Sequence, residues 1–175
     1  EKIIKKDTII FGNLPYNIST QILLKLIKVN VWPPEYIKLI LMFQKEVAQR
    51  ILAKHNTNNY GRLSIVSNWR LKIIKHFDVS KNCFYPKPKV NSSVVIFEPK
   101  VNRSYKIKDI LNLEKVTQIF FSNRRKMINK SFKKLFDQNE SINKTIKLNL
   151  TNRPSNLKPE DFYKMTEIYE RGLKT

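Results

Sequence analysis

The sequence predicts an α/β unit followed by a separate all-helical domain, and three observations carry that reading. Residues 8–43 read as strand, helix, strand, the order of a crossover unit. Two further strand-like runs follow before residue 100, and beyond residue 101 only helical periodicity remains. The expected boundaries are therefore 1–100 for the α/β part and 101–175 for the helical part.

The first strand is Thr8 to Phe11, which stops at Gly12 and opens into the turn Asn13-Leu14-Pro15-Tyr16. A helix is expected next, with Ser19 as its N-cap and Ile22, Leu23, Leu26 and Ile27 on one apolar face. The nearly continuous apolar run Tyr36 to Phe43 reads as a parallel strand buried on both faces. Gln44 to Ala53 predicts a second helix with Val47, Ile51 and Leu52 inward, and Tyr60 to Trp69 a short third. Leu71 to Val79 and Val90 to Phe97 read as strands. The prolines of Phe84-Tyr85-Pro86-Lys87-Pro88-Lys89 forbid a helix between them and stiffen an extended loop. The C-terminal helices are expected at Ile107 to Phe121, Arg124 to Phe136 and Glu160 to Leu173. No linker of biased composition separates the two parts, so they are expected to pack directly on each other.

The 175 residues, 41% of them hydrophobic, suffice for a real core. No apolar run approaches the roughly 18 residues of a membrane helix, so a soluble, cytoplasmic protein with no membrane partner is expected. One cysteine excludes an internal disulfide, and two histidines without an acidic cluster argue against a metal centre. The 34 Lys+Arg against 14 Asp+Glu leave a net charge of +20, the balance of a protein that neutralises phosphate. A lysine-favouring coding bias would account for some of the lysine, but nucleic acid is the leading partner on charge alone.

The tetrad Asn13-Leu14-Pro15-Tyr16 lies where a parallel strand ends, at the sheet edge where α/β proteins bind ligands. An arbitrary N-x-P-Y would merely shape a turn. Here Phe11-Gly12-Asn13-Leu14-Pro15-Tyr16-Asn17-Ile18-Ser19 resembles the substrate-amine motif of methyltransferases that dimethylate adenine in ribosomal RNA. The resemblance continues in order through Phe43 to Arg50, Tyr60 to Ser64, Phe84 to Val95 and Phe121 to Lys126. The blocks at Gln44 to Val47, Tyr60 to Arg62 and Arg124 to Lys126 resemble the KsgA-type, small-subunit branch rather than the macrolide-resistance branch acting on large-subunit rRNA.

That resemblance implies a Rossmann-like, S-adenosylmethionine-dependent methyltransferase sheet of which this chain holds the C-terminal half. An adenine amine is a poor nucleophile because its lone pair is delocalised into the ring. Hydrogen-bond acceptors must therefore localise that pair toward the methyl donor. The Asn13 side chain and the Leu14 carbonyl are the expected acceptors, Pro15 fixes the carbonyl outward, and Tyr16 and Phe84 are expected to sandwich the base. Asn13 is also the one expected contact to S-adenosylmethionine. The rest of that cofactor's site needs a Gly-rich loop, which Gly12, Gly61 and Gly172 are too scattered to form. The natural protein is accordingly expected to continue upstream of Glu1 and to be monomeric. Alone, this chain would be inactive, and its first strand would form an apolar open edge prone to self-association.

Small-subunit rRNA or a pre-ribosomal particle is the implied partner. Lys87 and Lys89, on the proline-stiffened loop, are placed to hold the backbone of a flipped nucleotide. Arg124, Arg125, Lys126, Lys130, Lys133 and Lys134 are expected as a basic stripe on one helix, with Met127, Ile128, Leu135 and Phe136 on its apolar side. Arg124 and Arg125 have a structural alternative, as ties within the fold. Two other functions remain open on sequence: a non-catalytic nucleic-acid-binding factor derived from the same family, and a large-subunit rRNA dimethyltransferase.

Overall fold

The structure, a computed structural model, describes residues 5–101, 104–137, 142 and 145–172. Its element order is β1 (Thr8–Asn13), α1 (Ser19–Ile27), β2 (Tyr36–Gln44), α2 (Lys45–Leu52), α3 (Arg62–Arg70), β3 (Leu71–Val79), β4 (Ser92–Pro99), α4 (Ile110–Phe121), α5 (Asn129–Phe136) and α6 (Pro159–Gly172). Short 3-10 turns occupy Lys81–Cys83 and Pro154–Asn156. Leu173, the expected end of the last helix, lies outside the described residues. Among these residues no helix is long and apolar enough to cross a membrane.

The chain divides into two compact units: residues 1–52 with 70–102, and residues 53–69 with 103–175. Ala53–Trp69, placed with the α/β part on sequence, clusters with the C-terminal helices instead. Its side chains explain why. Tyr60 is fully buried with its ring 6.1 Å from that of Phe121, and Tyr163 donates its hydroxyl to the Ile65 carbonyl at 2.9 Å.

The first unit is built on a four-stranded sheet of order β1-β2-β4-β3. β1 runs parallel to β2, and β4 is antiparallel to both β2 and β3. Burial alternates along the strands. Leu39, Leu41 and Phe43 of β2, with Val95 and Phe97 of β4, are buried, as are Leu23 and Ile27 of α1 and Ala48 and Ile51 of α2. The opposite face carries Ile40, Met42, Val94 and Ile96, which are only half-buried. β2 therefore has one closed face, not the two that its apolar run implies. β1 is an edge strand, with Ile9 44% and Phe11 72% exposed.

Polar groups close the ends of α1. Ser19 is not the N-cap acceptor expected of it: the helix starts at Ser19 itself, whose hydroxyl donates back to the Tyr16 carbonyl at 3.2 Å. At the other end, the buried guanidinium of Arg70 donates to the carbonyls of Ile27 and Val29 at 2.5 and 2.9 Å, and Tyr36 donates to that of Leu26. Arg70 also lies 4.7 Å over the Trp32 ring. A cation there meets the negative end of the helix dipole and carbonyls that the helix cannot satisfy. Burial pushes the Tyr36 hydroxyl well above the ordinary tyrosine range, against the pull of the Arg70 cation.

The second unit is held by aromatic packing. Phe162 of α6 lies 5.7 Å from both Phe120 and Phe121 of α4, and Phe132 and Phe136 of α5 pack at 4.9 Å. One buried carboxylate orients two of these helices. Glu170 of α6 accepts from the amides of Lys108 and Asp109 at 2.8 and 3.0 Å and from the Asn112 side chain at 3.0 Å. It thereby fills the N-terminal end of α4 with negative charge, beside the Asp109 side chain that caps Leu111.

Removing either anchor strands buried polar groups. Arg70→Ala and Glu170→Ala are each expected to lower unfolding stability by about 2–4 kcal/mol in urea titrations. Glu170→Gln, which keeps an acceptor oxygen, is expected to lose about half as much.

Candidate functional site

The sheet register gathers the candidate residues at one edge. Asn13, last in β1, is opposite Met42, and Gln44, last in β2, is opposite Ser92, the first residue of β4. Ser92 is in turn opposite Val79, the last residue of β3. The ends of β1, β2 and β3 and the start of β4 thus share a single edge, and the loop 80–91 hangs from it. Cross-strand partners share a face, so Asn13 projects on the open side with Met42, Val94 and Phe77.

The Asn13-Leu14-Pro15-Tyr16 turn is closed from within. The Ile18 amide donates to the Pro15 carbonyl at 3.1 Å, and the Ser19 hydroxyl occupies the Tyr16 carbonyl. Among the described residues, no hydrogen bond engages the Asn13 side chain or the Leu14 carbonyl, so two acceptors stay available on a fixed turn. A Cβ at Gly12 would lie 2.8 Å from Leu14 Cδ2 and 2.9 Å from Leu41 Cδ2, so those side-chain tips pack directly against the bare glycine. Tyr16 is half-buried and its hydroxyl lies 2.7 Å from Ser92 Oγ.

The loop carrying Phe84 is rooted on the same edge. Ser80 caps the Lys81–Cys83 turn by accepting from the Asn82 amide, and Phe84 follows in extended conformation, half-buried. The loop's far end is held by Asn91, whose side chain accepts from the Lys81 amide and whose carbonyl accepts from that of Lys45, both at 3.0 Å. Asp78 braces this corner, bonding Lys45 Nζ at 2.5 Å and the buried Ser93 hydroxyl at 2.6 Å. Those two bonds, Lys45 first, hold its carboxyl below the usual aspartate range. Lys87 and Lys89 are exposed on the loop, as expected. Lys89 lines a cleft of about 310 Å³ together with Lys45, Lys81, Gln44, Glu46, Val90 and Asn91. Tyr85, beside Phe84, is fully exposed and is a second aromatic on offer, although the sequence singled out only Phe84.

The basic residues of the second unit divide in two. Lys130, Lys133 and Lys134 are exposed on α5, whose other face buries Phe132, Leu135 and Phe136. Arg124, Arg125 and Lys126 are not on that helix, which corrects the single stripe expected from sequence. They lie in the turn between α4 and α5, where the Lys126 amide bonds the Asn123 carbonyl, and the helix begins only at Asn129. The Ile128 amide is tied to the Asn152 carbonyl, which sets the start of α5. Met127, expected on its apolar side, is 51% exposed for the same reason.

The displaced arginines line a basin of about 250 Å³ with Arg153, Asn56, Thr57, Asn58, Ser155 and Asn156. Arg124 donates to the Asn58 carbonyl, the Asn56 amide to the Ser155 carbonyl, and the Asn156 side chain to that of Asn56. Among the described residues, three guanidiniums and no carboxylate line this hollow. Arg153 is not among the residues expected from sequence, because Asn56 to Asn58 and Arg124, which line the basin with it, are far away in the chain.

Comparison with known proteins gives the arrangement its lineage. The family model for ribosomal RNA adenine dimethylases matches residues 1–171. Ribosomal RNA small subunit methyltransferase A of Pelagibacter ubique is 48% identical over 164 residues, covering 92% of this chain and 61% of that protein. Its namesake in Mesorhizobium japonicum is 41% identical over 157 residues, 90% of this chain and 55% of that protein. The chain thus spans little more than half the length of these relatives. Among solved structures, a dimethyladenosine transferase from Plasmodium falciparum superposes with a TM-score of 0.75 at 27% identity, covering 98% of this chain and 70% of that one. The 23S rRNA methyltransferase ErmE shares the fold alone, with a TM-score of 0.63 at 17% identity over 94% of this chain and 66% of that one. The sheet is accordingly that of the Rossmann-like, S-adenosylmethionine-dependent methyltransferases. With a family model matched almost end to end and curated relatives above 40% identity, the chain belongs to the ribosomal RNA adenine dimethylase family.

Proposed function

We propose that this chain supplies the target-base pocket and the RNA-gripping helices of a cytoplasmic enzyme that dimethylates adenines of small-subunit rRNA. One observation carries the reading: two acceptors without partners among the described residues, the Asn13 side chain and the Leu14 carbonyl, stand at the sheet edge next to an anchored aromatic ring. Both can accept from the same exocyclic amine. Doing so withdraws its hydrogens from conjugation and turns the lone pair outward, the change needed before nitrogen can attack a methyl group. Pro15 has no amide hydrogen to compete for these acceptors.

Tyr16 supplies a flat face for a purine taken out of its stack, and Phe84 the opposing one; each ring–base contact contributes about 1–3 kcal/mol. The methylated amine is briefly a strong acid and releases its proton to water. No general base is required, and none is assigned.

S-adenosylmethionine, when bound, supplies the electrophilic methyl group. The residues present fit only one corner of it: Asn13 reaches the edge where the donor would meet the base, while Gly12, Gly61 and Gly172 form no cradle. No further contact to the donor is assigned to this chain. The exposed Phe11 and Ile9 on edge strand β1 are where copies of the isolated chain would associate.

The helical unit is assigned to RNA, with the Arg124, Arg125 and Arg153 basin taking a backbone phosphate and Lys130, Lys133 and Lys134 tracking the strand. Three guanidiniums around one hollow repel each other until an anion enters, which is the electrostatic signature of a phosphate seat. Lys81, Lys87 and Lys89 offer the same service beside the base pocket.

In the full-length gene product, Asn13→Ala and Tyr16→Ala are each expected to cut methyl incorporation into rRNA by about a hundredfold or more while leaving the circular dichroism spectrum unchanged. Near-normal incorporation would defeat the pocket assignment. Arg125→Ala combined with Arg153→Ala is expected to weaken RNA binding at every sequence tested. It should also flatten the log–log salt dependence by about one unit for each phosphate that is no longer neutralised. An unchanged slope in a filter-binding titration would remove the basin from the interface.

A further inference from the structure

Tyr16 is held at both ends. Its carbonyl receives the Ser19 hydroxyl, and its own hydroxyl lies 2.7 Å from the Oγ of Ser92, a residue with no exposed surface. A tyrosine needed only for its apolar ring could leave that hydroxyl in water, because Tyr16 itself is half-buried at the sheet edge.

The topology shows what the bond spans. β1 and β4 are the two neighbours of β2, so the hydroxyl contact joins the turn after β1 to the first residue of β4 across the end of β2. Gln44, the last residue of β2, is paired with Ser92, so the contact ties the β1 turn to β4 beside the end of β2. Without the anchor, the first torsion is free to leave its well and carry the ring away from the edge. With it, the ring axis is held relative to Asn13 and Leu14 on one side. On the other side it is fixed to the loop bearing Phe84, which ends at Ser92.

Resting on the reading that Tyr16 stacks on the target adenine, we propose that Ser92 is a positioning residue for methyl transfer. Its hydroxyl sets the direction of the Tyr16 ring axis, and hence where the stacked purine presents its amine to the Asn13 and Leu14 acceptors. Ser92 itself touches neither base nor methyl donor. Its effect falls on the orientation of a bound base, so the turnover step suffers while RNA affinity, supplied largely by phosphate contacts, does not.

The test is steady-state methylation by the full-length gene product, with thermal melts of each variant. Ser92→Ala and Tyr16→Phe are each expected to lower kcat on the order of tenfold with KM for RNA and Tm unchanged. The double variant should be no worse than either single, and Ser92→Thr, which restores a hydroxyl, should keep the parent kcat. Additive losses, an undiminished kcat in Ser92→Ala, or failure of Ser92→Thr to rescue would each overturn the proposal. Should Ser92→Ala fail to fold, Tyr16→Phe decides alone, since it removes only the hydroxyl. Tyr16→Ala separates the two layers. If it is inactive while Tyr16→Phe and Ser92→Ala keep full kcat, the base pocket stands and the positioning role falls; if it stays active, both fall.

Discussion

The antiparallel pairing of β4 with β2 is the constraint from which the rest of the site follows. Leu39, Leu41 and Phe43 face Phe97, Val95 and Ser93 across it, and burial of the apolar members fixes the register, because a slip of one residue would turn them all to the open face. That register puts Ser92 opposite Gln44. Once Ser92 is there, its hydroxyl reaches Tyr16, the loop behind it must return to the carboxyl edge, and Asn91 is close enough to engage Lys45 and Lys81. The pocket's geometry is inherited from hydrophobic packing some residues away from it.

The two units solve the problem of like charge differently. In the α/β unit, three basic residues are moderated locally: Lys45 is paired with Asp78, Lys38 with Glu98, and Arg70 is buried against carbonyls and an indole. In the helical unit, Arg124, Arg125 and Arg153 converge with no acid among the described lining residues. Carbonyl and amide groups from Asn58 and its neighbours hold the scaffold instead. A cluster left unneutralised by the residues lining it lowers stability slightly and suits the hollow to an anion, in keeping with the RNA contact proposed for it.

Much of this is legible in the chain, and what is not has physical reasons. β3 falls on its expected residues, and Asn13 to Tyr16 ends a parallel strand as read, because strand period and turn chemistry are local signals. Ser92, Arg153 and Glu170 carry no such signal, because each acts with groups far along the chain. Ser92 is 76 residues from Tyr16, and the bond that closes the Arg153 basin spans the 100 residues between Asn56 and Asn156. The basic run at Arg124 reads as part of α5 because arginine and lysine favour helix, and nothing nearby announces that Asn152 holds Ile128 just before the helix starts. The grouping of Ala53–Trp69 with the later helices is invisible for the same reason: Tyr60 and Ile65 look like any helix residues until Phe121 and Tyr163 are beside them.

A site that assigns no general base depends the more on geometry. Where an acid or base does the work, a loose side chain can still transfer a proton through water; where the work is to hold a lone pair in line, small angular errors are lost rate. This chain invests accordingly. The acceptors sit on a proline turn closed by Ile18 and Ser19, the stacking ring is tethered at its hydroxyl, and the second aromatic sits on a loop stiffened by Pro86 and Pro88 and tied at both ends by Asn91. None of these restraints is needed to bury the core. These restraints gather at an exposed edge where a fold would ordinarily tolerate motion, and the proposed base pocket accounts for all of them together.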